Sequence, residues 1–434
     1  MNGTMRRPSE GGPIVSPKAH STALPNVPVK AMKTRSRRRA LALGCVLLLT
    51  VVSYTVLWPM AAMIIDARRP FVQGPVSENM TVAESVRLRS SEFLITFWFF
   101  AVGASLGSFL NVAAGRIPIG KSICGSSRCP QCDKRITRWD IVPILSWLVL
   151  GGQCRFCEKP ISPRYPTVEA LAGGMFLLLL FVELLSGCAN VPFIRHYGYD
   201  GFVWILFYPK WDFVGMYIYH MTLLCLLLVV SLIEWDRARV PKRLILFGVF
   251  LGGLFAAIWP ALHPVEWLTS NPNWVSMWSW LESIDTTVVG VVAGAFVGTM
   301  LSVLSPSTDR PAGIPTAETS SIVLVGTFLG WQATVSVTAI TVVLELVAVI
   351  AAYRLPRISN MPKSGWVLSA TLLHLCLWRV LTSWPMWPGP HSSASSLSTA
   401  SASIVAICIL TRVLSRSPQT GRDVNFHNGE GAHS

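Results

Sequence analysis

Long apolar runs, separated by short polar segments rich in Lys and Arg, make up most of the chain after residue 39. A helix that crosses the hydrocarbon core of a bilayer needs about 20 apolar residues. The predicted spans are residues 40–65, 93–114, 167–187, 213–233, 243–260, 287–304, 320–332, 333–353, 366–383 and 400–414. The run 320–332 is short enough to be a half-span. The pattern predicts an all-α polytopic membrane protein with about eight to ten transmembrane helices.

Composition agrees with this class and limits the kinds of partner that we expect the chain to bind. Hydrophobic residues make up 52% of the 434 residues and charged residues only 13%, which excludes an ordinary soluble globule. The net charge of +14 is compatible with a nucleic-acid partner, but the Lys and Arg residues cluster between the spans. Such clustering encodes membrane orientation. We therefore expect membrane lipid around the chain and no bound nucleic acid.

The basic residues predict which side of the membrane each loop occupies. Nine Lys or Arg lie in the segment 116–164, the densest basic loop between spans, so we expect this loop in the cytoplasm. The same rule places both termini in the cytoplasm. It places the loops 188–212 and 261–286 outside, where Trp274, Trp278 and Trp280 would form part of an aromatic belt.

Changes in composition divide the chain into six segments. The two ends lack apolar periodicity and are expected to be disordered tails. The segments are a basic tail (1–38), an extra membrane anchor with its outside loop (39–92), a region carrying the basic loop (93–187), a membrane core (188–355), C-terminal membrane helices (356–415) and a second tail (416–434).

Two Cys-x-x-Cys pairs lie in the basic loop, Cys129/Cys132 and Cys154/Cys157, separated by 21 residues. Each pair can direct two thiolates at one ion, and two pairs at this spacing supply the four ligands of a tetrahedral structural zinc site. The alternatives are free thiols or a redox pair. A reducing cytoplasm favours metal over disulfide. The sequence therefore predicts a small cytoplasmic tetracysteine zinc-binding insertion.

Seven short motifs surround the cysteine pairs. They are Gly107-Ser-Phe-Leu-Asn111, Arg116-Ile-Pro118, Arg128-Cys-Pro-Gln-Cys132, Asp140-Ile-Val-Pro143, Leu145-Ser-Trp147, Cys154-Arg-Phe-Cys157 and Ile161-Ser-Pro-Arg-Tyr-Pro166. With these motifs, the stretch resembles the N-terminal region of the type IV prepilin peptidases. These are polytopic membrane enzymes that remove leader peptides from prepilins.

The resemblance implies an activity, a location and one cofactor. It implies an aspartic-type endopeptidase of the inner (plasma) membrane, which cuts prepilin-like or pseudopilin substrates after a Gly at the cytoplasmic face. Many members also N-methylate the new amino terminus with S-adenosylmethionine, a role assigned to the cysteine-bearing region. On the same resemblance, Asn111, Arg116, Arg164 and Glu169 are expected to bind substrate or cofactor.

The chain departs from this family at the two catalytic aspartates. The first family aspartate lies seven residues before a Pro, and counting back seven from Pro241 reaches Glu234. The second ends a Gly-x-Gly-Asp motif, which this sequence lacks. A Gly-Trp landmark at Trp331 places the corresponding position at Glu318. The resemblance thus implies a catalytic pair of Glu234 and Glu318, with Asp236 in reserve.

Two interpretations of this double change remain open. A carboxylate at both positions favours a retained catalytic pair, whereas random loss would more often leave Asn, Ala or Gly. Against this, an extra methylene moves each carboxyl, and a displacement of about 1 Å can cost about a hundredfold in rate. The alternative is therefore an inactive membrane scaffold that binds pilin-like helices. A transporter is a weaker third option.

Other ionisable residues fall inside predicted spans, where charge is costly and functional roles are common. They are His220, Glu345, His374 and Arg379. We interpret them first as structural, for example as a pair between Glu345 and Arg379 or as histidines bonded across helices.

Overall fold

The computed structural model describes residues 29–61, 81–192, 201–263, 279–304, 316–352 and 361–387, apart from 59, 126, 130, 138, 139, 385 and 386. Within these ranges the chain forms ten α-helices and no β-strand. The helices are α1 (Val29–Val52), α2 (Val82–Arg116), α3 (Leu145–Leu150), α4 (Arg164–Leu179), α5 (Val203–Phe207), α6 (Trp211–Trp235), α7 (Lys242–Ile258), α8 (Ser279–Leu304), α9 (Ala317–Ala352) and α10 (Lys363–Thr382). The predicted span 400–414, the tail 416–434, Trp274 and Trp278 lie outside the described residues.

Seven helices of the described chain are long and apolar enough to cross a membrane. They include α1, α2, α4, α6, α8, α9 and α10. The 17-residue α7 covers residues 243–258 of the predicted span 243–260. This confirms the predicted class, an all-α polytopic membrane protein.

The first helix begins earlier than expected. The sequence places residues 1–38 in a disordered tail, but α1 starts at Val29 and continues through the basic run Arg35–Arg39. Arg, Lys and Met are good helix formers, so a polar segment joined to an apolar helix can extend it. The residues before Val29 lie outside the described residues.

Helix α6 is the centre of the bundle. In its apolar window 83% of the residues are buried, against 6% for α1, which lies at the edge. Leucines and valines on all sides of α6 contact α2, α4, α9 and α10. A helix that is apolar on every face is expected in the interior. Its last turn, which carries Glu234, is therefore fixed by neighbours on several sides.

Helices α2 and α4 pack closely on either side of the cysteine-bearing loop. A Cβ atom on Gly107 would lie 2.6 Å from the Cβ of Ala172 and 3.0 Å from the backbone oxygen of Val168. Only a glycine permits this approach, which is common between membrane helices. The glycine of the motif Gly107-Ser-Phe-Leu-Asn111 thus holds the two ends of the loop together.

Helix α9 folds back on itself at Gly330. Its backbone there has φ 81° and ψ 176°, a conformation that is almost confined to glycine. A Cβ on Gly326 would lie 3.0 Å from Oγ1 of Thr334, whereas eight residues of straight helix would separate the two positions by about 12 Å. The predicted spans 320–332 and 333–353 both lie in this element. Its first leg packs on α8, where a Cβ on Gly290 would lie 1.9 Å from the oxygen of Gly326.

Candidate active site and metal centre

The four cysteines of the two pairs converge on one point. All four sulfur atoms lie within 4.8 Å of one another, and Sγ of Cys129 is 3.8 Å from Sγ of Cys157. Four sulfurs at zinc bond lengths of about 2.3 Å would be about 3.8 Å apart. Cys129 and Cys154 are buried, and Cys124 is exposed and outside the cluster. The cluster could hold one metal ion.

Both pairs use the same backbone turn to aim their sulfurs. The N–H of Asp133 donates to the oxygen of Cys129 at 2.9 Å, and the N–H of Glu158 donates to that of Cys154 at 3.0 Å. Each turn closes with a residue at positive φ, 53° for Asp133 and 56° for Glu158. The N–H groups of Cys129 and Cys154 in turn donate to Lys134 and Lys159. The loop thus contains two equivalent turns that present four ligands.

Hydrogen bonds and burial act differently on the thiols. The backbone N–H of Gln131 is the main cause that lowers the pKa of Cys129 to about 7, so its thiolate forms readily. Burial raises the pKa of Cys154, whose sulfur also accepts a hydrogen bond from the N–H of Phe156 at 3.5 Å. A bound cation would favour the thiolate at both positions.

Two residues that the resemblance implicated, Glu169 and Arg116, hold the loop in place. The Glu169 carboxylate accepts a 2.7 Å hydrogen bond from the N–H of Ile144, a residue with a φ of 61° just before α3. Arg116 donates to the carbonyls of Ser122 and Ile123, each at 3.2 Å. Asn111 is buried on α2. Their expected contact with substrate or cofactor stays a prediction.

Glu234, in the last turn of α6, is held by the first turn of α10. One of its oxygens, Oε2, accepts hydrogen bonds from the backbone N–H of Ser364 at 2.9 Å and from the Ser364 hydroxyl at 2.5 Å. A carboxylate at a helix N-terminus is favoured by the free N–H groups and by the helix dipole. The contact therefore fixes both the position and the orientation of Glu234.

Glu318, at the start of α9, lies beside the residue that precedes Ser364. Its Oε2 is 3.6 Å from Nζ of Lys363. The side chain of Glu318 is 6% exposed, and that of Lys363 is 41% exposed. The two carboxylates thus contact consecutive residues of α10. We call this end of the bundle, where α6 ends and α10 begins, the site face.

Asp236 has a different environment from Glu234. Both of its oxygens accept hydrogen bonds from the guanidinium of Arg164, the Nη2–Oδ2 distance being 2.9 Å. The pair joins the start of α4 to the end of α6. It also brings the cysteine-bearing region next to the helix of Glu234.

A second acidic group lies deep in the bundle. Oε1 of Glu183 is 2.7 Å from Nδ1 of His220, and both side chains are fully buried. Nearby, Nδ1 of His374 is 3.2 Å from the Ser336 hydroxyl, and Arg379 donates to the Val191 carbonyl at 2.9 Å. His220 lies 14 residues from Glu234 on α6, about 21 Å along the helix. This pair is therefore separate from the site face.

Sequence reasoning missed Glu183, Ser364 and Lys363. Glu183 lies inside the predicted span 167–187, so the rule that draws attention to ionisable residues in a membrane would have found it. Lys363 and Ser364 precede the predicted span 366–383, where a Lys is ordinary. Only the contacts with Glu234 and Glu318 make them notable.

The comparisons with known proteins support the resemblance. Residues 101–183 match the family described as the bacterial peptidase A24 N-terminal domain. The prepilin leader peptidase/N-methyltransferase of Myxococcus xanthus is 44% identical over 88 residues, which cover 20% of this chain and 26% of that protein. The protein of the same name from Stutzerimonas stutzeri is 28% identical over 241 residues, which cover 48% of this chain and 72% of that protein. No solved structure matches the chain.

Fold and site define the class: a multi-pass membrane protein with a tetracysteine loop and two glutamates at the site face. The matching regions are similar to the type IV prepilin peptidases. In its match to the Myxococcus protein, the chain spans about a quarter of that protein's length.

Proposed function

We propose that the chain is a membrane-embedded endopeptidase that removes leader peptides from prepilin-like or pseudopilin substrates. Glu234 and Glu318 act as its catalytic carboxylates, in an aspartic-type mechanism. The substrate class comes from the relatives, whose names describe prepilin leader peptidases. Pilin-like proteins are the partners, and lipid surrounds the bundle.

The observation that carries this proposal is the convergence of Glu234 and Glu318 on Ser364 and Lys363. The two glutamates are far apart in sequence and lie on different helices, yet both contact the first two residues of α10. Acids that only marked the membrane boundary would have no reason to meet at one helix end.

Two neighbouring carboxylates can perform peptide hydrolysis without another group. One takes a proton from the attacking water while the oxygen of that water bonds to the peptide carbonyl carbon. The other gives a proton to the leaving amine as the C–N bond breaks. The additional methylene of Glu requires the backbone to lie slightly farther from the substrate than in an Asp pair. We assign Asp236 a structural role, because Arg164 binds both of its oxygens.

The cysteine cluster is proposed to hold a structural zinc ion. The donor set of four cysteine sulfurs and their spacing fit this ion. With four protein ligands there is no open position for catalysis, so zinc would stabilise the loop. The N-methyltransferase part of the relatives' names suggests a second activity with S-adenosylmethionine. Asn111, Arg116, Arg164 and Glu169 are the residues proposed to bind substrate or this cofactor.

The proposed location is the inner (plasma) membrane, with the site face, the basic loop and both termini in the cytoplasm. The basic loop 116–164 contains nine Lys or Arg, which favours this orientation. A leader peptide on a newly made prepilin would then meet the site before export.

The test is cleavage of purified type IV prepilins in detergent, followed by mass spectrometry of the new amino terminus. We expect wild-type protein to cleave and the Glu234→Gln/Glu318→Gln double variant to be inactive while it remains folded. A wild type that binds prepilin but leaves every leader intact would refute the peptidase and favour the scaffold.

A further inference from the structure

The ammonium of Lys363 lies next to a proposed catalytic carboxylate. Its distance of 3.6 Å from Glu318 Oε2 is within ion-pair range. Glu318 is almost completely buried, whereas Lys363 is partly exposed, so the cation lies between the carboxylate and the solvent. A peptide that enters from the aqueous side would meet Lys363 before it reaches Glu318.

The cluster of Glu234, Glu318 and Lys363 differs in charge from a simple pair of carboxylates. Two carboxylates in one site cannot both ionise easily, and one of them usually keeps a proton. With each Glu counted as −1 and Lys363 as +1, the three side chains have a formal net charge of −1. A carboxylate pair that shares a proton has the same net charge. Lys363 therefore supplies the positive charge that a shared proton would otherwise supply.

Ser364 makes the two carboxylates unequal. A backbone N–H can only donate, so Oε2 of Glu234 must be an acceptor where the Ser364 N–H reaches it at 2.9 Å. This contact orients the carboxyl group of Glu234, as a general base requires. Glu318 has a mobile cation beside it, because a Lys ammonium lies at the end of a flexible four-carbon stem.

We propose that Lys363 is a third catalytic residue of the proposed peptidase, which stabilises the oxyanion that forms on the scissile peptide carbonyl. This inference rests on the proposed function. As water attacks the carbonyl carbon, Glu234 takes its proton and the carbonyl π electrons move to oxygen. Lys363 turns from Glu318 to this negative oxygen. Glu318, without its cation, receives through a water molecule the proton that Glu234 took and gives it to the leaving nitrogen. The C–N bond then breaks as the oxyanion electrons re-form the carbonyl.

The start of α10 supports this role. The N-terminal end of a helix carries a partial positive charge, which adds to the charge of Lys363 at the developing oxyanion. Lys363 directly follows Pro362, so its backbone is fixed while its side chain can move. The same helix end thus orients the base through Ser364 and supplies the cation through Lys363.

The test compares Lys363→Met, Lys363→Arg and a matched control, Lys242→Met, in prepilin cleavage. Lys242 is the first residue of α7 and also follows a proline, Pro241. We expect Lys363→Met to lower kcat about a hundredfold with little change in KM, because the interaction is made in the transition state. Lys363→Arg keeps the charge and should recover at least a tenth of the wild-type kcat. Lys242→Met should behave as wild type.

The outcomes separate this inference from the proposed function. A wild type that cleaves and a Lys363→Met variant that cleaves equally well would overturn the inference alone. An equal loss in Lys242→Met, or no recovery with Lys363→Arg, would also overturn it. A wild type that cleaves no prepilin rejects the proposed function and the role of Lys363 with it. Gel filtration and zinc content check folding, and Lys363→Gln replaces the Met variant if that variant fails to fold.

Discussion

Arg164 and Asp236, 72 positions apart in the sequence, form a bidentate ion pair between the first residue of α4 and the residue after α6. Such a pair has a defined geometry, because two parallel N–H groups meet two carboxylate oxygens. It places the region with the four clustered cysteines directly beside the helix that carries Glu234. Asp236 is thus bound by Arg164, whereas Glu234 accepts hydrogen bonds from Ser364.

Asp236→Asn tests the structural role of this pair. Both side chains are about a third exposed, with values of 27% and 34%, so solvent weakens the pair. The loss should cost at most about 1 kcal/mol and leave prepilin cleavage within about tenfold of wild type. Glu234→Gln in the same assay should be inactive. Complete inactivity of a folded Asp236→Asn variant would bring Asp236 into the mechanism.

The single variants Glu234→Gln and Glu318→Gln test the catalytic pair. Each should lower kcat by at least about a thousandfold, because an amide can neither take nor give the proton. The measurement is the initial rate of leader release, with circular dichroism as the folding control. Wild-type rates in either variant would remove that residue from the mechanism.

Metal binding should depend on pH through the cysteine thiolates. The pKa of Cys129 is lowered from its ordinary value of 9.0 to about 7, so its thiolate is lost as the pH falls below 7. Protons then compete with zinc, and affinity falls. We expect one zinc per chain at pH 8, measured by atomic emission, and faster transfer to a chromogenic chelator at pH 5.5. Cys129→Ser should lose the metal and Cys124→Ser should keep it; equal metal content in both would contradict a four-cysteine site.

The buried pair of Glu183 and His220 is expected to stabilise the bundle. Removing one partner leaves the other buried without this hydrogen bond, which costs about 1–3 kcal/mol. Glu183→Leu and His220→Leu should therefore each lower the free energy of unfolding in detergent titrations. The double variant should cost less than the sum of the two single variants. Strict additivity would show that the 2.7 Å contact contributes no coupling energy.

Gly330→Ala tests the turn in α9. The residue has space for a Cβ, since the nearest atoms would lie at 3.4 Å, but its backbone conformation is strained for any other residue. We expect a loss of about 1–3 kcal/mol in the free energy of unfolding. Gly174→Ala is the control, because no atom lies within 4 Å of a Cβ there. Equal stability of the two variants would argue against a fixed turn at Gly330.

The sequence predicted the class and the metal cluster because both depend on local patterns. Apolar runs indicate membrane helices wherever they lie, and two Cys-x-x-Cys pairs specify ligands through their own turns. Only one loop then had to close to bring the four cysteines together. The resemblance implied Glu234 and Glu318 through their spacing to Pro241 and Trp331, which are also local landmarks.

These local patterns could not predict contacts between segments that are far apart in the sequence. Ser364 meets Glu234 across 130 positions, and no periodicity along the chain indicates which helix end faces which. Hydropathy also reports how apolar a segment is but not where it turns, so the fold-back at Gly330 is visible only in the structure. The start of α1 at Val29 was missed because charged residues tolerate a helix as well as a coil.

The fold-back at Gly330 determines whether α9 adds an odd or an even number of membrane crossings. Its first leg, residues 317–329, is about 20 Å long and is too short to cross a hydrocarbon core of about 30 Å. Placed in a bilayer, the element would enter and leave on the same side, so it would contribute an even count. A reading of α9 as one 36-residue crossing would move Lys363 to the opposite compartment from Glu318, and their 3.6 Å contact excludes that topology.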